Sequence, residues 1–374
     1  MASPVVVPIY QGQEFYVPTF QVKVAGRPQG QDVIRDILQV SYKDNIQEID
    51  GFDITINNWD ADRCTFKYSD SDLFDPGKEL ELWMGYHGKD KLRLMIRGQI
   101  TTLRPAFPAS GGPTLAISGL NVLHKLRTKQ ESHSYEGLTD SKIAQQIGTR
   151  LGVDIKTPRA SDEKKFDFLF QDNQYDILFL LERARRIGYE LVVEEKGQNG
   201  QSSPPSMTFA PSTDTRRVTY QLTYGKSLIE FKPELTTANQ IGEVTVRGWD
   251  PVNKKKIEYT AKRSEIAIKG VGSAGNQQAI EQSFNQRKEI IATKPIESED
   301  EAKTLAIQTL QDNAKDMVKG GGSTVGLPDL RAGSIVQIDG LGKRFSGRYF
   351  VTSTTHAMGD GGYTTQFECR REEL

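Results

Sequence analysis

The chain has little of what most catalytic and membrane proteins display. Among 374 residues there are two cysteines, Cys64 and Cys369, and four histidines. The histidines do not cluster with cysteines or carboxylates at metal-ligand spacing, so no metal centre is read from them. The cysteines are far apart in sequence, and two ordinary buried thiols of a cytosolic product are expected rather than a disulfide. No apolar run approaches the roughly 20 residues that span a bilayer. The longest, Ile177–Leu181, has five and sits in a helical pattern. The first residues, Met1 to Pro8, lack a basic region followed by an apolar core, so no signal peptide is expected. No sign of charge dominates: 48 Lys and Arg face 49 Asp and Glu, for a net charge of −1. A general binder of nucleic acid or of anionic membranes needs a basic excess.

Short β-prone runs separated by turn residues are abundant. In residues 1–126, alternating strands are expected at Phe20–Val24, Ile37–Tyr42, Phe52–Asn57, Leu80–Tyr86, Leu92–Thr102 and Thr114–Gly119. Six strands at this spacing fit one small barrel. The period changes over 127–225. Thr139 caps a helix carrying Ile143, Ala144, Ile147 and Leu151, and Gly152 stops it. A second helix, Tyr175–Ile187, is expected behind Asp172 or Asn173, with Leu178, Leu181 and Ala184 as its stripe. Gly188 ends it and Tyr189–Glu194 is a strand, followed by a loop over Lys196–Pro205. This is a small α+β domain. Residues 226–262 return to β, with a hairpin turning at Asp250-Pro251. They are expected to join 323–374 in a second barrel. The segment 263–322 is then an insertion built on a helix, Ser298–Val318, with Gly320–Ser323 as a flexible stop. The fold class is mainly β with α+β insertions.

Candidate chemistry is sparse. Gly270-Val271-Gly272-Ser273-Ala274-Gly275 has the dinucleotide spacing G-x-G-x-x-G, before a candidate helix at Gln277–Ile291. Backbone donors there would cradle a pyrophosphate. No β-α-β rhythm surrounds it, so a surface loop is the expectation and no cofactor is assigned. Gly225-Lys226-Ser227 lacks the first glycine of a phosphate loop, since Tyr220 stands there. Glu194-Glu195 and Glu297–Glu301 are dense acid runs, expected to be solvated or, at Glu299 and Glu301, to favour a helix start. His356, near Ser353, Thr354 and Asp360, has no nucleophile elbow to serve and is expected to pack or hydrogen-bond locally. The basic clusters Arg183–Arg186 and Lys254–Lys256 read as solvated faces. Trp249 is either an interface anchor or a core residue. No catalytic, cofactor or metal residue is therefore assigned.

The order of the motifs resembles the phage late control protein D family, the baseplate hubs of contractile tails, and the hub part of VgrG spikes. The resemblance rests on Ala332-Gly333, Gly340-Leu341-Gly342, Phe345-Ser346-Gly347-Arg348-Tyr349, Val351-Thr352, His356, Gly362-Tyr363-Thr364-Thr365 and Phe367 near the end. Val244-Thr245-Val246-Arg247-Gly248-Trp249-Asp250-Pro251 and Ile187-Gly188-Tyr189-Glu190-Leu191 carry it elsewhere. It implies two small β-barrels in a hub-like arrangement and a structural role without catalysis. The implied assembly is a homotrimeric ring joining a hexameric inner tube, or its initiator, to a trimeric spike, among other baseplate proteins. Because no needle follows Leu374, the spike is expected to be a separate polypeptide. Synthesis in a bacterial cytoplasm and assembly into a virion or injection particle follow from the same resemblance. The competing readings are a nucleotide-binding oxidoreductase using Gly270–Gly275 and a β-barrel glycan-binding adhesin.

Overall fold

The computed structural model describes the chain apart from residues 1–5, 10–16, 89–91, 122–126, 128, 160–162, 199–200, 213–218, 251–252, 267–282, 285, 294–295, 297 and 373–374. It is mainly β, with large antiparallel sheets.

The first β module contains β1 (Pro18–Val24), β2 (Ile37–Asn45), β3 (Gly51–Asn57), β4 (Glu79–Tyr86), β5 (Arg93–Ala106) and β6 (Thr114–Asn121). They pair in the order β2-β3-β6-β5-β4-β1. Period-2 alternation puts Phe52, Ile54 and Ile56 of β3 into the core with Val40, Leu82, Met84 and Ile117. The sheet closes tightly around Phe52 because its neighbours are glycines. A Cβ on Gly119 would meet the ring at 2.4 Å and one on Gly98 at 2.8 Å. Strand β4 is buried on both faces, its Trp83 as completely as its Leu82.

The α+β unit follows: β7 (Gln130–Tyr135), α1 (Asp140–Leu151), β8 (Asp154–Lys156), β9 (Leu169–Tyr175), α2 (Asp176–Ile187), β10 (Tyr189–Gln198) and β11 (Gln201–Pro211). Thr139 caps α1 by accepting the Lys142 N–H, and Gly152 ends it at φ 69°. Ile143, Ile147, Leu180 and Phe209 form its core. Two expectations change here. Asp172 and Asn173 lie inside β9, and α2 starts after Tyr175 with no side-chain cap. Within the loop expected over 196–205, residues 196–198 end β10 and residues 201–205 begin β11, in a hairpin whose polar side chains hid the alternation.

The second β module holds β12 (Thr219–Thr223) and β13 (Leu228–Leu235), then an inserted unit, then β17 (Val318–Val325), β18 (Ile335–Asp339), β19 (Gly347–Gly359) and β20 (Gly362–Arg371). The insert comprises β14 (Glu243–Asp250), β15 (Lys255–Lys262), β16 (Lys288–Ile291) and α3 (Glu299–Lys315). It leaves and re-enters at one point: Leu235 pairs with Val318, and the Thr236 N–H donates to the Met317 carbonyl. The β14–β15 hairpin does not pair with the second module. It forms a three-stranded sheet with β16 and packs Val244 and Val246 on Ala302, Ala306 and Leu310 of α3. Of the helix expected over Gln277–Ile291, residues 277–282 and 285 lie outside the described residues, and Lys288–Ile291 form β16. Gly320–Ser323, expected as a flexible stop, lie within β17. Glycine is needed there because the Phe231 and Phe367 rings cross the strand; a Cβ on Gly322 would meet Phe367 at 2.8 Å and Phe231 at 2.9 Å.

Fourteen described strands form one continuous sheet, and β19 is its hinge pin. Its first residues, Gly347–Phe350, pair with β18. Its last, Ser353–Gly359, pair with β2 of the first module. The tip of the β19–β20 hairpin therefore places Met358 and Tyr363 in the first core, while Val351 and Phe367 belong to the second.

Candidate functional site: the polar seam between the β modules

The chain from Gly326 to Gly333 crosses between the modules, and side chains from both sides hold it. The Tyr86 hydroxyl donates to the Gly326 carbonyl (2.9 Å). The Leu327 N–H donates to Thr365 Oγ1 (2.9 Å), and the Ala332 N–H to Asp44 Oδ2 (3.0 Å). Asp44 also accepts the Thr354 hydroxyl. These backbone groups of the crossing thus each have a partner of matching polarity, as burial demands.

Arg331 lies at the centre. Its Nε donates to the Pro328 carbonyl (2.9 Å), and Nη1 and Nη2 donate to the carbonyls of Met95 (3.2 Å) and Leu94 (3.0 Å) on β5. The guanidinium stacks 4.6 Å from the Tyr42 ring centroid. Around it stand Asp44, Asp50 and Glu195. Burial, then the neighbouring Asp44, pushes the Asp50 carboxyl well up. Burial likewise pushes the Tyr42 hydroxyl up.

His356 is fully buried. Its Nε2 faces the Leu330 carbonyl at 2.9 Å and Thr354 Oγ1 at 3.1 Å, and its Nδ1 faces the Tyr363 hydroxyl at 3.0 Å and Thr365 Oγ1 at 3.1 Å. A neutral ring that donates from Nε2 to Leu330 and accepts at Nδ1 satisfies this set. Burial and the nearby Arg331 push its basicity well below the ordinary range. The hydrogen bonds are all consumed within the seam, so the arrangement fixes the crossing rather than presenting a base to solvent.

The other sequence candidates scatter. Gly270–Gly275 lie outside the described residues. Arg183, expected on a solvated face, is buried and paired in two hydrogen bonds with Asp140 (2.5 and 3.1 Å), so helix α2 is tied to α1 by a charged fork. Arg185 lines a cleft of about 220 Å³ where α2, α3 and β20 meet, beside Lys315 and Arg370. Lys254–Lys256 are exposed. Trp249 is 56% exposed on the open face of the β14 sheet. Glu299 and Glu301 sit in the first turn of α3 behind the Ser298 cap. Glu194 pairs with Lys156 (2.9 Å), but Glu195, expected to be solvated, is enclosed in the seam. Cys369 is buried, whereas Cys64 is exposed in a turn; both are free. Among the described residues, no group of three or more His, Cys, Asp or Glu is placed to hold a metal, and no helix is long and apolar enough to cross a membrane.

Arg331, Asp44, Tyr42 and Asp50 carried no motif, and Glu195 stood out only as half of an acid pair. Parity was the one signal for the strand residues: Tyr42 and Asp44 share the inward face of β2 with Val40, and Thr354 and His356 share theirs with Met358.

Solved structures of phage tail proteins share this fold. The 43 kDa tail protein of prophage MuSo2 from Shewanella oneidensis matches 95% of this chain and 98% of its own, with a TM-score of 0.69 at 13% identity. A tail protein from Neisseria meningitidis MC58 matches 95% and 97%, with a TM-score of 0.66 at 12% identity. An Escherichia coli component of the type VI secretion system, described as structurally similar to the bacteriophage T4 tail proteins gp27 and gp5, matches 94% and 79%, with a TM-score of 0.51 at 10% identity. No curated protein matches the chain in sequence. The chain belongs to the Alg8 N-terminal domain family, which matches residues 15–360.

Proposed function

We propose that this protein is a structural hub of a contractile tail or injection-system baseplate. Three copies form a ring that joins a hexameric inner tube to a trimeric spike, and the chain performs no bond chemistry. The observation that carries this reading is the double engagement of β19, which pairs with β18 at one end and β2 at the other. One strand shared by two cores, clamped by the Arg331 seam, makes a stiff body suited to transmitting force. Two β modules per subunit present six similar units in a trimer, which fits a sixfold tube on one face and a threefold spike on the other.

Large permanent interfaces need exposed apolar anchors. Phe107, Ile229, Trp249 and Ile290, each more than half exposed, supply such anchors on both modules and on the insert. Light scattering of the purified protein, alone and with a spike-class partner, tests the reading. A trimer, or a monomer driven to a 3:3 complex by the partner, is expected. A strict monomer indifferent to tube and spike proteins overturns it.

A further inference from the structure

Strand β10 is the edge by which the α+β unit leans on the rest of the molecule. Val192 packs with Ile46, Ala332 and Phe350 at the seam. A bulge between Glu194 and Lys196 resets the strand's alternation. Glu195 and Gly197 consequently face the first β module too. Gly197 lies flat against it: a Cβ there would be 2.6 Å from the Trp83 indole and 2.8 Å from Leu94 Cβ. Glu195 enters beside it. The Asn121 side-chain amide of β6 donates to Oε1, while Oε2 is closed off from solvent and has no hydrogen-bond partner.

The neighbours of this carboxyl come from every element packed on it. Strand β5 contributes the Arg97 backbone N–H and guanidinium, both of which favour the ionised form, although that guanidinium is paired with Glu79; burial outweighs them. The crossing contributes Arg331, whose donors are engaged by three backbone carbonyls. Strand β2 and the turn after it contribute Tyr42 and Asp50, an oxygen-rich surrounding that disfavours another negative charge. An ionised Glu195 would bury one carboxylate oxygen that no donor meets. A protonated one carries no such penalty.

We propose that Glu195 is a protonation latch: as a neutral carboxyl it holds the β10–β11 hairpin on the first β module, and its ionisation releases that hairpin from the seam. Burial raises this carboxyl to about 7, which places the transition near neutrality. The sign is that of a raised carboxylate. Docking is fully supported below the unfolded carboxylate range, near pH 4.5, and support is lost as pH rises through about 7. The α+β unit is thereby held or freed by the acidity around the particle, independently of how the ring assembles.

Hydrogen exchange on the full chain tests the latch, with rates corrected for the intrinsic effect of pH. Between about pH 6 and pH 8.5, protection of residues 189–198 and 93–99 is expected to fall about tenfold or more, since a tenfold change in the ionised-to-neutral ratio accompanies each pH unit. E195Q mimics the neutral acid and is expected to keep protection at both values. N121L removes a hydrogen bond that favours the ionised form and is expected to move the midpoint to higher pH. Equal protection of the wild type at both values, or the same fall in E195Q, overturns the latch. If E195Q does not fold, an unmoved midpoint in N121L overturns it.

Discussion

The guanidinium of Arg331 lies 4.6 Å from the centroid of the Tyr42 ring, and the two residues come from opposite β modules. The contact joins a partly buried cation to the face of a buried ring, so it is less screened by water than the same pair on an open surface. The same guanidinium answers the carbonyls of Pro328, Leu94 and Met95. Replacing it leaves these acceptors inside the seam without a donor.

R331M keeps much of the side-chain volume and removes the donors. Its expected cost is about 3 kcal/mol in urea unfolding, the range for stranding buried acceptors of a charged donor. Y42F keeps the stacking ring and loses only the hydroxyl, which donates to Asp50 across a long 3.3 Å. Its expected cost is below about 1 kcal/mol. Equal losses in the two variants would show that the guanidinium is not the tie.

His356 makes stability depend on acid. Its basicity is depressed in the folded state, so the unfolded chain binds the proton more readily. Stability is therefore intact above the ordinary histidine range, near pH 6.5, and falls as pH drops below it. The slope approaches about 1.4 kcal/mol per pH unit for one proton. Glu195 and Asp50, both raised, contribute the opposite slope over part of this window. The informative quantity is thus the difference between wild type and H356Q. The wild type should lose stability relative to H356Q on going from about pH 7 to pH 5. A pH-independent difference would mean that the imidazole binds its proton equally well in the folded and the unfolded chain.

The strands of the first module were legible because apolar residues alternate with polar ones there, as in Phe52-Asp53-Ile54-Thr55-Ile56. Helices α1 and α3 were legible from Thr139 and Ser298 at their starts. Of hairpin β10–β11 only the outer part, such as Tyr189–Glu194, was legible; the part nearer the turn was not. Its Gly, Ser and Pro residues read as a loop, and their strand geometry comes from a neighbouring surface that only the folded chain provides. The β14–β15 hairpin was legible as a hairpin, but its partner, α3, lies far along the chain and no local pattern names it. The seam was the least legible part, because its residues come from six stretches far apart in the chain, from Tyr42 to Thr365.

Gly322 and Gly321 make a controlled pair in β17. A Cβ on Gly322 falls within 2.9 Å of the Glu230 carbonyl and against both phenyl rings, whereas one on Gly321 has only the Phe367 carbonyl at 3.8 Å. G322A should cost about 2–3 kcal/mol by overpacking the second core. G321A should stay within about 0.5 kcal/mol of wild type or gain slightly, since alanine restricts the unfolded chain. Thermal and urea unfolding of the two variants side by side measure the contrast, and equal effects would contradict the ring-crossing geometry.

The inserted unit can be removed without breaking the sheet that hosts it. Its two ends meet where the Thr236 N–H reaches the Met317 carbonyl, directly beyond the Leu235–Val318 pair. Residues 237–316 therefore close a hairpin that a two-residue Asn-Gly turn can close instead. The second core keeps Met317, Val318 and Phe231 in that variant. What it forfeits is Phe284, a buried side chain of the second core, together with the face of α3 that meets α2, where the Gln308 side chain lies against Gly188, and the contact of Arg186 with Glu301 at 3.9 Å. The two α3 contacts lie at the edge of the α+β unit, so its own core of Ile143, Ile147 and Leu180 remains whole. The shortened chain should unfold in one cooperative transition at a lower temperature, with the helical circular-dichroism signal reduced by the loss of α3. A chain that aggregates or melts without cooperativity would instead mean that α3 is part of the structural frame, and that the insert and the α+β unit fold as one body.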